Sequence, residues 1–153
     1  IFIFCIILLT QIIPGFLSIY NNKNALDEEY IDAFKFLSTT PVNSVVLSIP
    51  EEGNMVTYFG KRKNVVDSDY LLVEDADVLL DNIKSVYTQR FRIEALRILE
   101  KYNVDYIVFS TKTKEKYNVE EISYINIPCF TLIYDQSVKI YKRNTEICKQ
   151  ELL

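Results

Sequence analysis

The sequence predicts an α/β domain with a small, mostly parallel sheet, flanking helices and a C-terminal antiparallel hairpin, preceded by a transmembrane segment. Early β-branched segments alternate with helical patterns, which is typical of parallel sheets. The last two strand patterns are separated by three turn-forming residues, which predicts a hairpin. An almost uninterrupted apolar stretch precedes all of them. We therefore expect a transmembrane segment over 1–20, a soluble α/β domain over 25–143 and a tail over 144–153.

The apolar stretch at the start is interrupted by Thr10 and Gln11 and bent by Pro14. A full span needs about 20 predominantly apolar residues, and residues 1–20 are just long enough. A buried helix and a signal-peptide core are the alternatives. A signal peptide has a positive first region and a small-residue cleavage site, and the stretch shows neither. We expect membrane lipid to be the partner of this segment.

The flank that follows Tyr20 is rich in Asn and acidic residues instead of Lys and Arg. Cytoplasmic flanks of membrane spans carry an excess of Lys and Arg. The sequence therefore predicts a membrane location with the soluble domain on the extracytoplasmic side.

The first half of the soluble part alternates helix and strand. Apolar residues recur at helical spacing up to Leu37, and Pro41 cannot continue that helix. A β-branched run then indicates a buried strand that Pro50 stops, and Gly60 ends the short helix after it. In chain order the predicted elements are a helix from Asn24 or Asp27 to Leu37, a strand over 44–49, a helix over 51–59 and a strand over 63–67.

The second half contains the strongest strand pattern and the hairpin. An apolar stripe with charged residues off it predicts an amphipathic helix before that strand. The residues at 135–137 separate the two strands of the hairpin. The predicted elements are a helical pattern ending at Tyr87, a helix with Ala95, Leu96, Leu99 and Tyr102 on one face, a strand over 104–109, and strands over 130–134 and 138–141. The tail after Thr145 is expected to be helical or frayed.

Composition excludes several functions. A net charge of -4 and a pI near 4.9 argue against DNA or RNA as a partner, because phosphate neutralisation needs clustered Lys and Arg. The chain has no His, so catalysis by a Ser-His-Asp triad and His-ligated zinc are excluded. With three Gly, neither a dinucleotide-binding fingerprint nor a Walker loop can be written. We expect no cofactor and no metal.

The loop after the first strand, 50–54, is the first candidate site. In open α/β sheets ligands gather at the carboxyl ends of strands, beside helix N-termini. Here the helix would begin with Glu51 and Glu52, which satisfy the helix dipole and repel phosphate. Helix capping is therefore the favoured role of these two acids.

The second candidate site consists of Tyr58, Arg62, Asp67 and Asp69, which are the weak candidates for substrate binding. Arg62 could pair with Asp67 or Asp69 and hold a loop in place. Alternatively the two aspartates could bind a divalent cation or a substrate. Two carboxylates alone make a poor metal site because Ca²⁺ and Mg²⁺ want about six oxygen ligands, so structural pairing is favoured.

Cys129 and Cys148 are well separated in the chain. The two cysteines could form a disulfide if the domain faces an oxidising compartment. Free buried Cys is common, and we favour unpaired thiols.

Several segments together carry a family resemblance. They are EYIDAFKFL at 29–37, TPVNSVVLS at 40–48, Gly53, YFGKR at 58–62, VVD at 65–67, LEKYNVDYIV at 99–108 and VKIYK at 138–142. Preceded by an apolar segment, this order resembles the C-terminal extracytoplasmic domain of multispanning archaeal and bacterial membrane proteins of the GT-C class. That class comprises lipid-linked-sugar glycosyltransferases, with the oligosaccharyltransferase catalytic subunits among them, and uncharacterised relatives.

The resemblance implies a membrane-anchored extracytoplasmic domain that is accessory to transfer from a lipid-linked sugar. The catalytic acid of GT-C enzymes lies in a loop between early membrane helices. The resemblance therefore implies that this chain has no catalytic centre. The chain has no Trp, so the tryptophan-tryptophan-aspartate motif that reads the acceptor sequon in oligosaccharyltransferases is missing. A lipid-linked sugar or an acceptor protein is the implied partner.

Two other functions stay open at this stage. The chain could be a non-enzymatic single-pass membrane module that binds a partner through an exposed sheet edge or a tyrosine-rich face. It could also be a free-standing enzyme that uses Asp67 and Asp69 with a metal.

Overall fold

The computed structural model describes residues 28–152, which form one α/β unit. The predicted segment over 1–20 and the predicted caps Asn24 and Asp27 lie outside the described residues. In chain order the helices are α1 (Glu28–Leu37), α2 (Pro50–Met55), α3 (Ala76–Thr88), α4 (Arg92–Lys101), α5 (Thr111–Tyr117) and α6 (Thr145–Gln150). The strands are β1 (Val45–Leu47), β2 (Lys63–Asn64), β3 (Tyr106–Ser110), β4 (Phe130–Asp135) and β5 (Val138–Arg143).

The five strands form one mixed sheet in the order β2-β1-β3-β5-β4. β1 lies parallel to both β2 and β3, with Val46 opposite Tyr106. β5 runs antiparallel to β3, with Ser110 opposite Val138, and β4 pairs antiparallel with β5. An α/β sheet flanked by helices with an antiparallel hairpin at the end of the chain is confirmed. The sheet is mixed and not mostly parallel, because β5 pairs antiparallel with both β3 and β4.

Helices cover both faces of the sheet, and side chains alternate between them as the pleat requires. On one face α1 and the π-helical turn Val56–Gly60 pack on alternate strand residues, among them Tyr106 and Val108. On the other face α3, α4 and α6 pack on the intervening residues, including Ile107 and Phe109. All five residues of β3 are buried because the strand lies between two covered faces.

Two glycines allow close approach of the backbone. A Cβ on Gly53 would lie 2.1 Å from the carbonyl oxygen of Val66, so α2 can pack on the chain after β2 only without a side chain there. A Cβ on Gly60 would lie 3.1 Å from the Leu37 side chain. Helix α2 continues into the π-helical turn Val56–Gly60, so helical structure ends at Gly60 as predicted, and Lys61 follows in the left-handed conformation at φ 51°.

Two predicted strands are shorter than expected, and one helix was missed. The 44–49 pattern forms a strand only at Val45–Leu47, because Ile49 is already the N-cap of α2 and Pro50 occupies its first position. The 63–67 pattern gives a two-residue strand. Helix α5 was not predicted, since its segment alternates Thr and Lys and lacks an apolar stripe.

The expectation of free cysteines is wrong, because Cys129 and Cys148 form a disulfide with their Cα atoms 5.0 Å apart. The disulfide fastens α6 to the start of β4, and both cysteines are fully buried. Among residues 28–152, no helix has the length and apolarity needed to cross a bilayer.

Candidate functional site

The carboxyl ends of β1 and β3 lie side by side at the middle of the sheet. From β1 the chain passes through α2 to β2 on one side, and β3 pairs with β1 on the other. This reversal of strand order is the place where open α/β sheets bind ligands. The helices that follow the two strands, α2 and α5, therefore form the walls of the candidate site, which we call the carboxyl end of the sheet.

A shallow crevice of about 350 Å³ opens between these helices. Its lining is an apolar residue, two acids and two lysines: Ile49, Glu51, Glu115, Lys112 and Lys116. Lys116 Nζ donates to Glu51 Oε1 across the crevice. Burial disfavours the charged form of Glu51. That cost is outweighed by the hydrogen bond from Lys116, by a hydrogen bond from the backbone of Glu51 itself and by the charges of Lys112 and Lys116, so the pKa of Glu51 is lowered.

Glu52 lies beneath the crevice and has no exposed surface. Its Oε1 accepts hydrogen bonds from the Tyr30 hydroxyl of α1 and from Ser110 Oγ at the end of β3. Ser110 Oγ also accepts from Thr113 N, since Ser110 is the N-cap of α5. One carboxyl group thus connects α1, α2 and α5, the helix that carries both crevice lysines.

Burial raises the pKa of Glu52, although the hydrogen bonds from Ser110 and Tyr30 and the charge of Lys112 favour its ionised form. Its Oε2 has no hydrogen-bond partner within residues 28–152. Burial, followed by the charge of Glu52, also raises the pKa of Tyr30. The group is therefore an enclosed carboxyl in which burial favours the neutral form more than water does.

Helix α1 begins at the same end of the molecule. Tyr30, in its first turn, contacts Glu52, and Lys112 Nζ lies 5.0 Å from the centroid of the Tyr30 ring. Glu29 Oε1 accepts from Ser137 N in the β4–β5 turn, 3.0 Å away. The first turn of α1 therefore lies beside the crevice.

Arg62, one of the sequence candidates, is buried before β2, at the opposite (amino) end of the sheet. Its Nε donates to Thr40 Oγ1 at 3.0 Å, and its terminal nitrogens donate to the carbonyl oxygens of Lys61, Ser38 and Thr40. The predicted pairing of Arg62 with an aspartate is wrong, because the guanidinium instead binds carbonyls of its neighbour Lys61 and of the loop that follows α1.

The other three sequence candidates are separated from Arg62. Asp67 and Asp69 follow β2, whereas Arg62 precedes it, so the strand holds them apart. Asp67 Oδ1 accepts from Asp69 N at 3.0 Å and closes a turn. Tyr58 is 74% exposed and packs edge-on against the Phe59 ring. The structure does not bring the four residues together into one site.

Within the described part of the chain, no group of three or more His, Cys, Asp or Glu residues is arranged to hold a metal ion.

Sequence reasoning missed most of the carboxyl-end residues. Glu52 was assigned to helix capping, yet its carboxyl group is bonded to Tyr30 and Ser110 instead. The available signal was Ser110 with Thr113 directly after the strongest strand, a spacing that predicts a capped helix there. The pairing of Glu52 with Tyr30, 22 residues earlier, has no local signal.

Comparison with known proteins supports the fold. No family model matches the sequence, and no curated protein matches it. A solved structure does match: the C-terminal globular domain of an oligosaccharyltransferase from Archaeoglobus fulgidus, at a TM-score of 0.56 and 18% sequence identity. The match covers 78% of this chain and 99% of that domain.

The chain shares the fold of that domain. The comparison thus supports an architecture like that of the C-terminal domain of an oligosaccharyltransferase, which agrees with the sequence resemblance. At 18% identity, what carries over is the arrangement of helices and strands.

Proposed function

We propose that this chain is the membrane-anchored extracytoplasmic domain of a glycosyltransferase-like integral membrane protein and that it is accessory to transfer from a lipid-linked sugar. The fold similarity to the C-terminal domain of an oligosaccharyltransferase supports the class of parent protein. The position of the start of α1 beside the crevice supports the membrane arrangement.

The single observation that carries the proposal is the position of the start of α1. Tyr30 in its first turn is bonded to Glu52 under the crevice. Residues 21–27 separate this turn from the apolar segment, and an extended chain of that length spans at most about 25 Å. If residues 1–20 lie in lipid, the carboxyl end of the sheet is tethered near the bilayer surface.

The crevice offers chemistry that suits the head of a lipid-linked sugar. Lys112 and Lys116 provide ammonium donors, and Glu51 and Glu115 provide carboxylate acceptors. Side chains of both signs can hydrogen-bond sugar hydroxyls, and the lysines can also meet a phosphate. The role of the domain in this proposal is to hold the sugar or the acceptor at the membrane surface, while the reaction itself is carried by membrane-embedded parts of the parent protein.

Crosslinking in vesicles tests the proposal. The full chain is reconstituted in phosphatidylcholine vesicles containing a polyprenyl-phosphate-linked hexose with a photoreactive group on the sugar. After irradiation, mass spectrometry should locate adducts on the α5 peptide with Lys112 and Lys116. Adducts on the peptide with Lys61 and Lys63, two exposed lysines at the amino end, should be rare because that end faces away from the bilayer.

Matched variants sharpen the result. The double variant Lys112→Gln/Lys116→Gln should reduce the adducts on α5, and Lys61→Gln/Lys63→Gln should leave them unchanged. Equal labelling at the two ends, or no labelling above that of a photoreactive lipid without sugar, would contradict the proposal.

A second candidate function is a non-enzymatic membrane module that binds a protein partner. One observation favours it: β4 is an edge strand of six residues, on which Thr131 and Leu132 are exposed. Edge strands can pair with an extended segment of a partner. However, β4 carries an irregularity between Leu132 and Tyr134, and such irregularities hinder edge pairing. Recovery of a stoichiometric partner that protects the β4 amides from hydrogen exchange would favour this function.

A further inference from the structure

The turn between α3 and α4 carries an aromatic side chain that no other part of the described chain covers. Phe91 is 74% exposed, and Ile93 beside it is 45% exposed. Arg90 and Arg92 flank the phenylalanine in sequence. The four side chains border a shallow cleft of about 370 Å³. Two exposed apolar side chains and two arginines therefore share one small surface patch.

This turn lies at the carboxyl end of the sheet. The Tyr87 hydroxyl, in the last turn of α3, donates to the carbonyl of Val108 at 2.9 Å and lies near that of Leu47, the last residue of β1. The Tyr87 ring also stacks on Tyr117 of α5, with centroids 5.4 Å apart. Phe91 follows four residues later, so it lies at the end of the molecule where α1 begins.

In the described part of the chain, one of the two arginines of this turn has an ion-pair partner and the other has none. Arg92 pairs with Glu151 at 3.0 Å. Gln89 Nε2 donates to Glu94 Oε2 at 2.7 Å. Within residues 28–152 the guanidinium of Arg90 has no carboxylate or hydrogen-bond partner. The turn thus presents an exposed cation next to an exposed aromatic ring.

We propose that the α3–α4 turn docks on the phospholipid surface, with Phe91 in the interfacial layer and Arg90 against anionic headgroups. Aromatic side chains favour the interface, and basic residues near it are attracted to anionic lipid. The inference rests on the proposed function for the tether, which keeps this end of the domain within reach of the bilayer. It adds a second point of contact, so that the domain is held in one orientation.

A tryptophan reporter tests the docking, because the chain has no Trp of its own. Phe91→Trp is compared with Val42→Trp in full-length protein reconstituted in vesicles of phosphatidylcholine and phosphatidylglycerol. Val42 is a matched control: it is 76% exposed and lies between α1 and β1, at the amino end. Emission of the Trp at 91 should shift to the blue and be quenched by brominated lipid. The Trp at 42 should show neither effect.

The contribution of Arg90 is measured in the same system. With Arg90→Gln added to Phe91→Trp, the ratio of docked to undocked domain should fall about fivefold in vesicles with phosphatidylglycerol. It should change little in vesicles of phosphatidylcholine alone.

Each outcome decides between the two proposals. Anchored protein in which the two reporters are quenched equally overturns the docking inference and leaves the proposed function intact. A blue shift at position 91 without quenching by brominated lipid also overturns it, because the ring would then lie against protein. Full-length chain that does not remain with the vesicles contradicts the membrane anchor of the proposed function, and the docking with it.

Discussion

The two ends of the sheet treat buried polar groups differently. At the amino end all three guanidinium nitrogens of Arg62 donate to oxygens of nearby loops. At the carboxyl end Glu52 bonds through one oxygen, and its other oxygen has no partner within residues 28–152. The first arrangement is a closed structural clamp, whereas the second lies under an open crevice. The hydrogen bonds of Arg62 hold loops together, whereas Glu52 keeps one oxygen without a partner beneath a surface that a ligand could reach.

The largest expected effect comes from breaking the clamp. Arg62→Met leaves the carbonyls of Ser38 and Thr40 without their donor, and the free energy of unfolding should fall by about 3 kcal/mol. Urea denaturation measures the change, with Lys61→Met as a control that should lose less than about 0.5 kcal/mol. If Arg62→Met also abolished sugar crosslinking in protein that remains folded, the separation of the two ends would be wrong.

The disulfide strengthens the amino end. Its removal in Cys129→Ala/Cys148→Ala releases a loop with a sequence separation of 19 residues, which should cost about 3 kcal/mol in the chain-entropy model. Thermal unfolding with and without reductant checks this value. Reductant should lower the melting temperature of the wild-type protein and leave that of the double variant unchanged; equal sensitivity of the two would contradict the assignment.

At the carboxyl end, replacing the buried acid Glu52 by a neutral residue should stabilise the protein at high pH instead of destabilising it. The folded-state pKa of Glu52 is raised above its unfolded value, so its contribution is fully present below the unfolded pKa and is lost as pH rises through the folded pKa. The Gln side chain in Glu52→Gln does not ionise, so the variant does not lose this stability as pH rises. The variant should match wild type near pH 4 and exceed it by about 1 kcal/mol at pH 8. A variant less stable than wild type at pH 8 would show that the carboxylate is needed in its charged form.

The smallest effect is expected at the crevice surface. Glu51 has a lowered pKa in the folded protein, so its contribution is present above the unfolded pKa and is lost as pH falls through the folded pKa. Because its side chain is 56% exposed, Glu51→Gln should cost less than about 0.5 kcal/mol at pH 7 and nothing near pH 3. Denaturation curves at the two pH values measure the difference. A loss above 1 kcal/mol would place Glu51 among the structural groups.

Much of the fold could be predicted because it depends on local patterns. β3 and the hairpin follow from β-branched runs and a short turn, and α4 follows from its apolar stripe. Helix α5 escaped prediction because its sequence has no apolar stripe and its buried residue is a threonine, Thr113. Its position depends on the capping of Ser110 and on packing against the sheet, which tertiary contacts decide.

The candidate site was harder to predict than the fold. Position 52 was identified as part of a strand-end loop, but the acid there was assigned to the helix dipole, since nothing near it in sequence predicts burial. Its partners Tyr30 and Ser110 are 22 and 58 residues away. Arg62 and Asp67 are close in sequence and were grouped for that reason, although β2 holds them apart.

The central claim is that the carboxyl end of the sheet faces the bilayer, and lysine labelling tests it most directly. The full-length chain is treated with an amine-reactive reagent in vesicles and in detergent, and modification rates are obtained by mass spectrometry for two pairs of exposed lysines. In vesicles Lys112 and Lys116 should react several-fold more slowly than in detergent, while the rates of Lys61 and Lys63 stay the same. Equal rates for both pairs, or protection of Lys61 and Lys63 alone, would contradict the account.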